Sequence, residues 1–212
     1  MQRGCKNARG GKPQFGKILA DAVAFIPESR IDEKSQFEKV DYRQFINAMK
    51  CIACGNKTVD YGVIEDFVFK IESKYGVTVK ALGYDRFNAL SSAQKWESGD
   101  GGKYSGINCI QIRQHSDTLH PPTKLLYEKI VNREFQYEEN KLLEINFENS
   151  RCAFDTNMNR YVNKKRSSGK IDMVVAIINA TYLLQQDIIF EASSTTLGSK
   201  YLIANTSKSS KE

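Results

Sequence analysis

The 212-residue sequence has little of the residues and motifs on which many enzymes depend. It contains only two histidines and one tryptophan. Two histidines without a G-x-S-x-G motif give no support for a hydrolytic triad. The chain also lacks G-x-x-x-x-G-K-[ST] and G-x-G-x-x-G motifs, so we expect no ATP binding through a glycine-rich phosphate loop.

Long apolar runs are missing as well. No run approaches the ~18 apolar residues that a membrane-spanning helix needs. The amino-terminal region is basic but has no apolar core of the kind found in secretory signal peptides. The five cysteines are odd in number and scattered, which favours reduced thiols over a disulfide framework. We therefore expect a soluble, cytoplasmic protein without a membrane partner.

The Cys51–Cys54 pair has the spacing of half a zinc site. A closed structural site needs four ligands, and the chain has no second C-x-x-C pair. The two histidines, His115 and His120, lie on the far side of two predicted elements. We expect two ordinary thiols in a turn and no zinc.

Basic residues outnumber acidic ones, with a formal net charge of +6. Residues 1–17 contain five cations and no acid, which is compatible with nucleic-acid binding without requiring it. We expect residues 1–16 to be a flexible basic segment and residues 17–190 to form one domain. The Ser/Thr/Lys-rich residues 191–212 are expected to be a disordered polar tail.

A helix and a strand in the middle of the chain lead to Asp85. Asp60 has the character of a helix N-cap, apolar residues follow at helical spacing, and Gly76 stands where the helix should end. The strand predicted over Val77–Tyr84 places Asp85 at its carboxyl end, where ligands of α/β sheets collect. From these residues alone, Asp85 is either a ligand or the start of a turn. An earlier strand is predicted over Lys17–Ile26.

An almost wholly apolar helix is predicted over Ile171–Leu184, with Asp172 in its first turn. The basic loop that precedes it contains four cations: Lys164, Lys165, Arg166 and Lys170. One interpretation is an acid that stabilises the helix dipole beside a solvated loop. The other is a metal-binding carboxylate that faces a polyanion. The chain before the loop, Arg151–Asn163, is predicted to form a β-hairpin.

Several stretches, in this order and spacing, resemble the endonuclease domain of tailed-phage terminase large subunits. They are Phe25-Ile26-Pro27-Glu28, Val59-Asp60-Tyr61, the segment from Leu82-Gly83-Tyr84-Asp85 to Ala89, Pro122-Thr123-Lys124, and the segment from Ser168-Gly169-Lys170-Ile171-Asp172 to Ala176. The resemblance covers residues 18–185 and implies an α/β, ribonuclease H-like mixed sheet flanked by helices.

The same resemblance implies metal-dependent cutting of concatemeric DNA during packaging in the bacterial host cytoplasm. Asp85 and Asp172 fall on two of the family's acidic positions, which bind Mg²⁺ or Mn²⁺. Sharing metal requires their carboxylates to lie within roughly 4–8 Å. Cations of the basic loop would hold double-stranded DNA by its backbone. By resemblance, the partners are the terminase ATPase domain, the small terminase subunit and the portal.

The sequence departs from the family at its start. The first nuclease strand, which carries a further catalytic aspartate, has no counterpart in residues 1–16, and Asp21 is the one acid on the early strand. We therefore expect a fragment without that strand and without the ATPase domain. The alternative function is a catalytically incomplete prophage remnant or a DNA-binding module of the same fold. A ribonuclease H-like resolvase or transposase is disfavoured by the sequence around Asp85 and Asp172.

Overall fold

The structure is a computed structural model that describes residues 16–193 and Leu202–Ile203. Apart from Gly16, the expected flexible amino-terminal segment lies outside the described residues. Most of the expected polar tail lies outside them as well. Two parts of that tail are ordered in secondary structure: residues 191–193 are helical, and Leu202–Ile203 form a strand. No helix among the described residues is long and apolar enough to cross a membrane.

Helices and short strands alternate along the chain. The helices are α1 (Ile31–Glu38), α2 (Tyr42–Asn47), α3 (Tyr61–Tyr75), α4 (Arg86–Ser98), α5 (Ser116–Val131), α6 (Lys141–Asn149) and α7 (Asp172–Ser193). The strands are β1 (Ile18–Ala20), β2 (Ala24–Ile26), β3 (Cys51–Ala53), β4 (Leu82–Tyr84), β5 (Cys109–Gln111), β6 (Phe135–Tyr137), β7 (Cys152–Phe154), β8 (Arg160–Val162) and β9 (Leu202–Ile203). A 3₁₀ turn covers Glu28–Arg30.

The strands form small, mostly parallel sheets. β1 pairs with β6 and β2 pairs with β3, both in parallel. β4 lies between β5 and β9 and is parallel to both, with Leu82 opposite Cys109 and opposite Leu202. β7 and β8 form an antiparallel hairpin. The expected mixed α/β architecture and the hairpin are therefore confirmed.

Local chemistry explains where α3 begins and ends. The Asp60 carboxylate accepts a hydrogen bond from the Gly62 amide at 2.8 Å, which satisfies a free donor of the first turn. At the other end Gly76 has φ 61°, in the left-handed region where glycine carries no steric penalty. Both predicted boundaries are confirmed.

The core consists of two clusters on the inner faces of the helices. The larger one joins α7 to β2, α2 and α6 through Val174, Ile177 and other buried residues. The smaller one joins α3 and α4 to β4 and is centred on Trp96, which is fully buried. α7 packs against α5, α6 and β4, and these contacts fix the position of the helix that begins at Asp172.

Two predicted strands and one predicted helix have different bounds in the structure. The predicted strand Lys17–Ile26 is divided into β1 and β2, because its halves pair with different partners, β6 and β3. Between them, the Asp21 carboxylate accepts a hydrogen bond from the Ala22 amide. The second strand, predicted over Val77–Tyr84, is limited to Leu82–Tyr84. The predicted helix Ile171–Leu184 continues to Ser193.

Candidate functional site

Asp172 lies at the start of α7, where a buried helix reaches the surface. Ile171, just before it, is 2% exposed, whereas the Asp172 side chain is 22% exposed. The Asp172 carboxylate therefore remains open to solvent on an otherwise buried helix. Its negative charge also faces the free N–H groups of the first turn, which the helix dipole favours.

Lys164 of the basic loop binds Asp172 directly. Its Nζ lies 2.6 Å from Asp172 Oδ1, and the lysine side chain is 57% exposed. An ion pair this open to solvent contributes little to stability, because water and salt screen it. Lys164 therefore neutralises the carboxylate without fixing it in place. Sequence reasoning gave Lys164 a role towards DNA and missed this pairing.

The loop itself is shaped by asparagine side chains of neighbouring elements. Asn163 Oδ1 accepts hydrogen bonds from the amides of Lys165 and Arg166. Asn149, at the end of α6, donates to the Lys170 carbonyl and leaves no room for a side chain at Gly169, where a Cβ would lie 2.6 Å from Asn149 Nδ2. These contacts hold the basic loop against α6 and beside the start of α7.

The other three cations of the basic loop differ from Lys164 in their surroundings. Lys165 and Arg166 are exposed and Lys170 is half-buried. Within the described part of the chain, no carboxylate lies within 4 Å of the three charged groups, in contrast to Lys164. Cations without acidic partners are available for an external anion.

Asp85 follows β4 directly, as the sequence predicts, and is half-buried. Its strand lies very close to α7 because Gly83 has no side chain. A Cβ at Gly83 would lie 2.5 Å from Ile112 Cδ1 and 3.2 Å from Leu183 Cδ1. Glycine at this position therefore sets how closely the strand that carries Asp85 approaches α7.

A hydrogen bond between the buried amide of Asn179 and the exposed side chain of Gln114 connects α7 to the carboxyl ends of β4 and β5. Gln114 Nε2 donates to Asn179 Oδ1 at 3.1 Å and to the Ile112 carbonyl at 3.3 Å, and the Ile112 amide in turn donates to the Tyr84 carbonyl. Asn179 is 0% exposed, and its Nδ2 has no hydrogen-bond partner among the described residues. Sequence reasoning missed Asn179, although a polar residue in an apolar helix was a visible signal.

These contacts place Asp85 and Asp172 towards the same end of the molecule. Leu183 faces Gly83 in the middle of β4, and Asn179 contacts the segment just beyond β5. The carboxyl ends of the strands therefore point towards the amino-terminal end of α7. Asp172 lies seven residues before Asn179, about 10 Å further along the helix axis. A shared metal at roughly 4–8 Å from both carboxylates stays a prediction.

A metal site at this end of the molecule is a prediction from the sequence. Carboxylate oxygens suit Mg²⁺ and Mn²⁺, and Asp85 and Asp172 provide two such groups. Within residues 16–193 and 202–203, no three His, Cys, Asp or Glu side chains are grouped to hold an ion. The described residues therefore show no complete metal cluster, and cation binding by Asp85 and Asp172 stays a prediction. Asp21 Oδ1 lies 3.6 Å from Lys50 Nζ, and Asp21 lines the same groove as Asp172.

The Cys51–Cys54 pair lies in a different environment from the predicted turn. Cys51 is the first residue of β3, and both thiols are buried, at 2% and 3% exposure. Burial raises the pKa of the Cys51 thiol to about 12 and also raises the pKa of Cys54. Thiols with raised pKa values are poor nucleophiles and poor metal ligands.

The α/β fold gives only the broad structural class of the chain, and comparison with known proteins gives its family. The family model for the terminase large subunit, endonuclease domain, matches residues 11–187. The chain therefore belongs to this family, and the resemblance seen in the sequence is confirmed. A search of curated proteins found no match.

The chain is also similar to a solved structure. It is the crystal structure of the HK97 bacteriophage large terminase, with a TM-score of 0.67 and 16% sequence identity. The similarity covers 75% of this chain and 32% of that chain. This chain thus spans about a third of the length of the HK97 protein, and at this identity the similarity concerns the fold.

Proposed function

We propose that the chain acts as a metal-dependent nuclease domain on double-stranded DNA, with Asp85 and Asp172 as acidic ligands. One observation carries the proposal. A half-buried carboxylate that solvent still reaches, at the start of the buried helix α7, lies towards the same end as Asp85 and beside cations that have no acidic partner in the described chain. Family membership adds support, and we propose the ribonuclease H-like arrangement of the sheet on the same grounds.

The side chains divide into two roles in this proposal. Asp85 and Asp172 would hold Mg²⁺ or Mn²⁺, which supplies charge stabilisation at a phosphodiester when bound. Lys165, Arg166 and Lys170 would contact the DNA backbone, which carries no sequence information. Lys164 would leave Asp172 as the cation binds, because both compete for the same carboxylate oxygen.

We base the proposed substrate, cellular location and partners on family membership as well. We propose concatemeric viral DNA in the host cytoplasm as the substrate, and the terminase ATPase domain, the small subunit and the portal as partners. A second candidate is a DNA-binding module without catalysis. The Lys164–Asp172 ion pair favours this candidate, because a lysine occupies a carboxylate oxygen that a metal would need.

A plasmid assay separates these functions. Supercoiled DNA is incubated with the chain and Mn²⁺, and nicked and linear products are measured. The nuclease proposal predicts cleavage that falls at least about 100-fold in Asp85→Asn and in Asp172→Asn, because each change removes a charged ligand. The matched control Asp32→Asn changes an exposed aspartate that pairs with Arg43, and should cut normally. Cleavage that survives Asp172→Asn would contradict the assignment.

DNA binding is tested separately from cutting. The variant with alanine at Lys165, Arg166 and Lys170 is compared with Lys70→Ala/Lys124→Ala/Lys141→Ala, which removes three helix-surface lysines from ion pairs. Each lost phosphate contact should flatten the slope of log affinity against log salt by about 0.9. The loop variant should lose about 2.7. An equal slope in both variants would place the DNA surface elsewhere, and binding without cutting would favour the second candidate.

A further inference from the structure

An arginine of the β7–β8 hairpin is packed between two exposed aromatic rings. The Cζ atom of Arg160 lies over the ring of Tyr127, on α5, and over the ring of Phe154, on β7, at 5.2 Å from each ring centroid. Phe154 and Arg160 are directly opposite each other in the hairpin, so their side chains extend from the same face. Tyr127 and Phe154 are 54% and 51% exposed, and Arg160 is half-buried between them. The arginine is therefore held in place at the surface of the molecule.

The guanidinium group of Arg160 has no acidic partner in the described chain. No described carboxylate lies within 4 Å of it, and it donates no hydrogen bond to a described residue. The one acid of the hairpin, Asp155, instead accepts hydrogen bonds from the Ser116 hydroxyl at 2.6 Å and from the Asn159 side-chain amide at 2.9 Å. The rings attract the positive charge, but they provide no oxygen acceptors for the guanidinium N–H groups. These donors are available for an external anion.

The segment that contains Arg160 is strongly basic. Residues 151–170 contain six cations and one acid. Asn163 joins the hairpin to the basic loop, because its amide donates to the Arg151 carbonyl and its side-chain oxygen accepts from two amides of the loop. Lys164 follows Arg160 by four residues, so their Cα atoms are at most about 14 Å apart. A duplex advances 3.4 Å per base pair, so this distance is about four base pairs. The hairpin and the basic loop can therefore contact one duplex.

We propose that Arg160 is a preorganised contact for a DNA backbone phosphate and that the hairpin extends the DNA-binding surface of the basic loop. This rests on the proposed binding of double-stranded DNA. A guanidinium can donate two parallel hydrogen bonds to phosphate oxygens. Because Tyr127 and Phe154 already hold the side chain, Arg160 loses less rotamer freedom on binding than a cation of an open loop. The two aromatic residues are positioning residues for the arginine.

The salt dependence of binding to a fluorescent DNA duplex, in EDTA so that no metal supports cutting, tests the proposal. Arg160→Gln should flatten the slope of log affinity against log salt by about 0.9, because one phosphate contact is lost. Arg43→Gln is the matched control, since Arg43 is exposed and paired with Asp32, and it should keep the wild-type slope. Tyr127→Leu/Phe154→Leu keeps the guanidinium but removes the rings that hold it. This variant should weaken binding at least about threefold and leave the slope unchanged.

NMR of the arginine Nε–H groups gives a second measurement, in the wild-type chain. The Arg160 signal should shift when the duplex is added, and the Arg43 signal should not. An unshifted Arg160 signal would overturn the proposal even if Arg160→Gln fails to fold. A wild-type slope in folded Arg160→Gln would also overturn it, while leaving DNA binding by the basic loop intact.

Two further results would be decisive. Wild-type affinity in Tyr127→Leu/Phe154→Leu would overturn the positioning role of the rings. A wild-type chain that does not bind the duplex would overturn this proposal together with the proposed function. A wild-type chain that binds the duplex but does not cut plasmid DNA with Mn²⁺ would contradict the nuclease alone, and the Arg160 results would still decide the phosphate contact.

Discussion

Replacing Gly83 by alanine tests the close packing that brings the Asp85 strand against α7. The added methyl group would lie 2.5 Å from Ile112 Cδ1 and 3.2 Å from Leu183 Cδ1. Neither neighbour can move easily, because Ile112 is 1% exposed and Leu183 is 2% exposed. Overpacking of this kind lowers the free energy of unfolding by about 1–3 kcal/mol.

A second substitution removes the clashing atom. Ile112→Val deletes Cδ1 and alone should cost about 0.5–1.5 kcal/mol. In the double variant the methyl group added at position 83 finds space, so the combined cost should be lower than the sum of the single costs by at least about 1 kcal/mol. Gly102→Ala is the matched control, because no atom of the described chain lies within 4 Å of a Cβ there. It should change stability by less than about 0.5 kcal/mol.

Urea denaturation of the four variants gives these free energies. Additive effects of Gly83→Ala and Ile112→Val would contradict the packing, and so would a Gly83→Ala variant as stable as Gly102→Ala. Stability and the geometry of the site are linked, because the same contacts set the separation between β4 and α7.

Three further predictions concern other parts of the chain. Asn179→Leu should leave the free energy of unfolding unchanged or raise it by up to about 2 kcal/mol, because it removes a buried donor that has no partner among the described residues, whereas the Gln114 amide that loses its acceptor is exposed and can bond to water; urea denaturation measures this. Hydrogen bonds from Ser116 and Asn159 hold the pKa of Asp155 well below its usual value, so they stabilise the fold above about pH 4 and lose their effect as pH falls towards the lowered pKa. Asp155→Asn should therefore melt below wild type at pH 6, with a difference that shrinks below about pH 4 in thermal scans. The Cys51–Cys54 pair should hold no stoichiometric zinc by elemental analysis, and zinc lost on Cys54→Ser would prove this wrong.

Much of the fold near the site could be predicted because its signals are local. The cap at Asp60, the glycine at the end of α3 and the apolar pattern of α7 each depend on neighbours within a few residues. The same is true of the hairpin formed by β7 and β8. These local signals were also sufficient to predict that Asp85 follows a strand and that Asp172 lies at the start of a helix.

Features that depend on distant partners could not be predicted. The strand Lys17–Ile26 divides because β1 pairs with β6, more than a hundred residues away, whereas β2 pairs with β3. The Lys164–Asp172 ion pair depends on how a long side chain folds back across the basic loop. β9 lies in a segment whose composition predicts disorder, and its pairing depends on the free edge of β4.

Paramagnetic NMR with Mn²⁺ tests the central claim most directly, because it locates a bound cation without requiring activity. We predict that substoichiometric Mn²⁺ broadens the backbone amides around Asp85 and Asp172 together, and that Asp172→Asn abolishes the broadening at both positions. Asp32→Asn, on α1, should leave it unchanged. Broadening around only one of the two acids, or at neither, would contradict a metal site shared by β4 and α7.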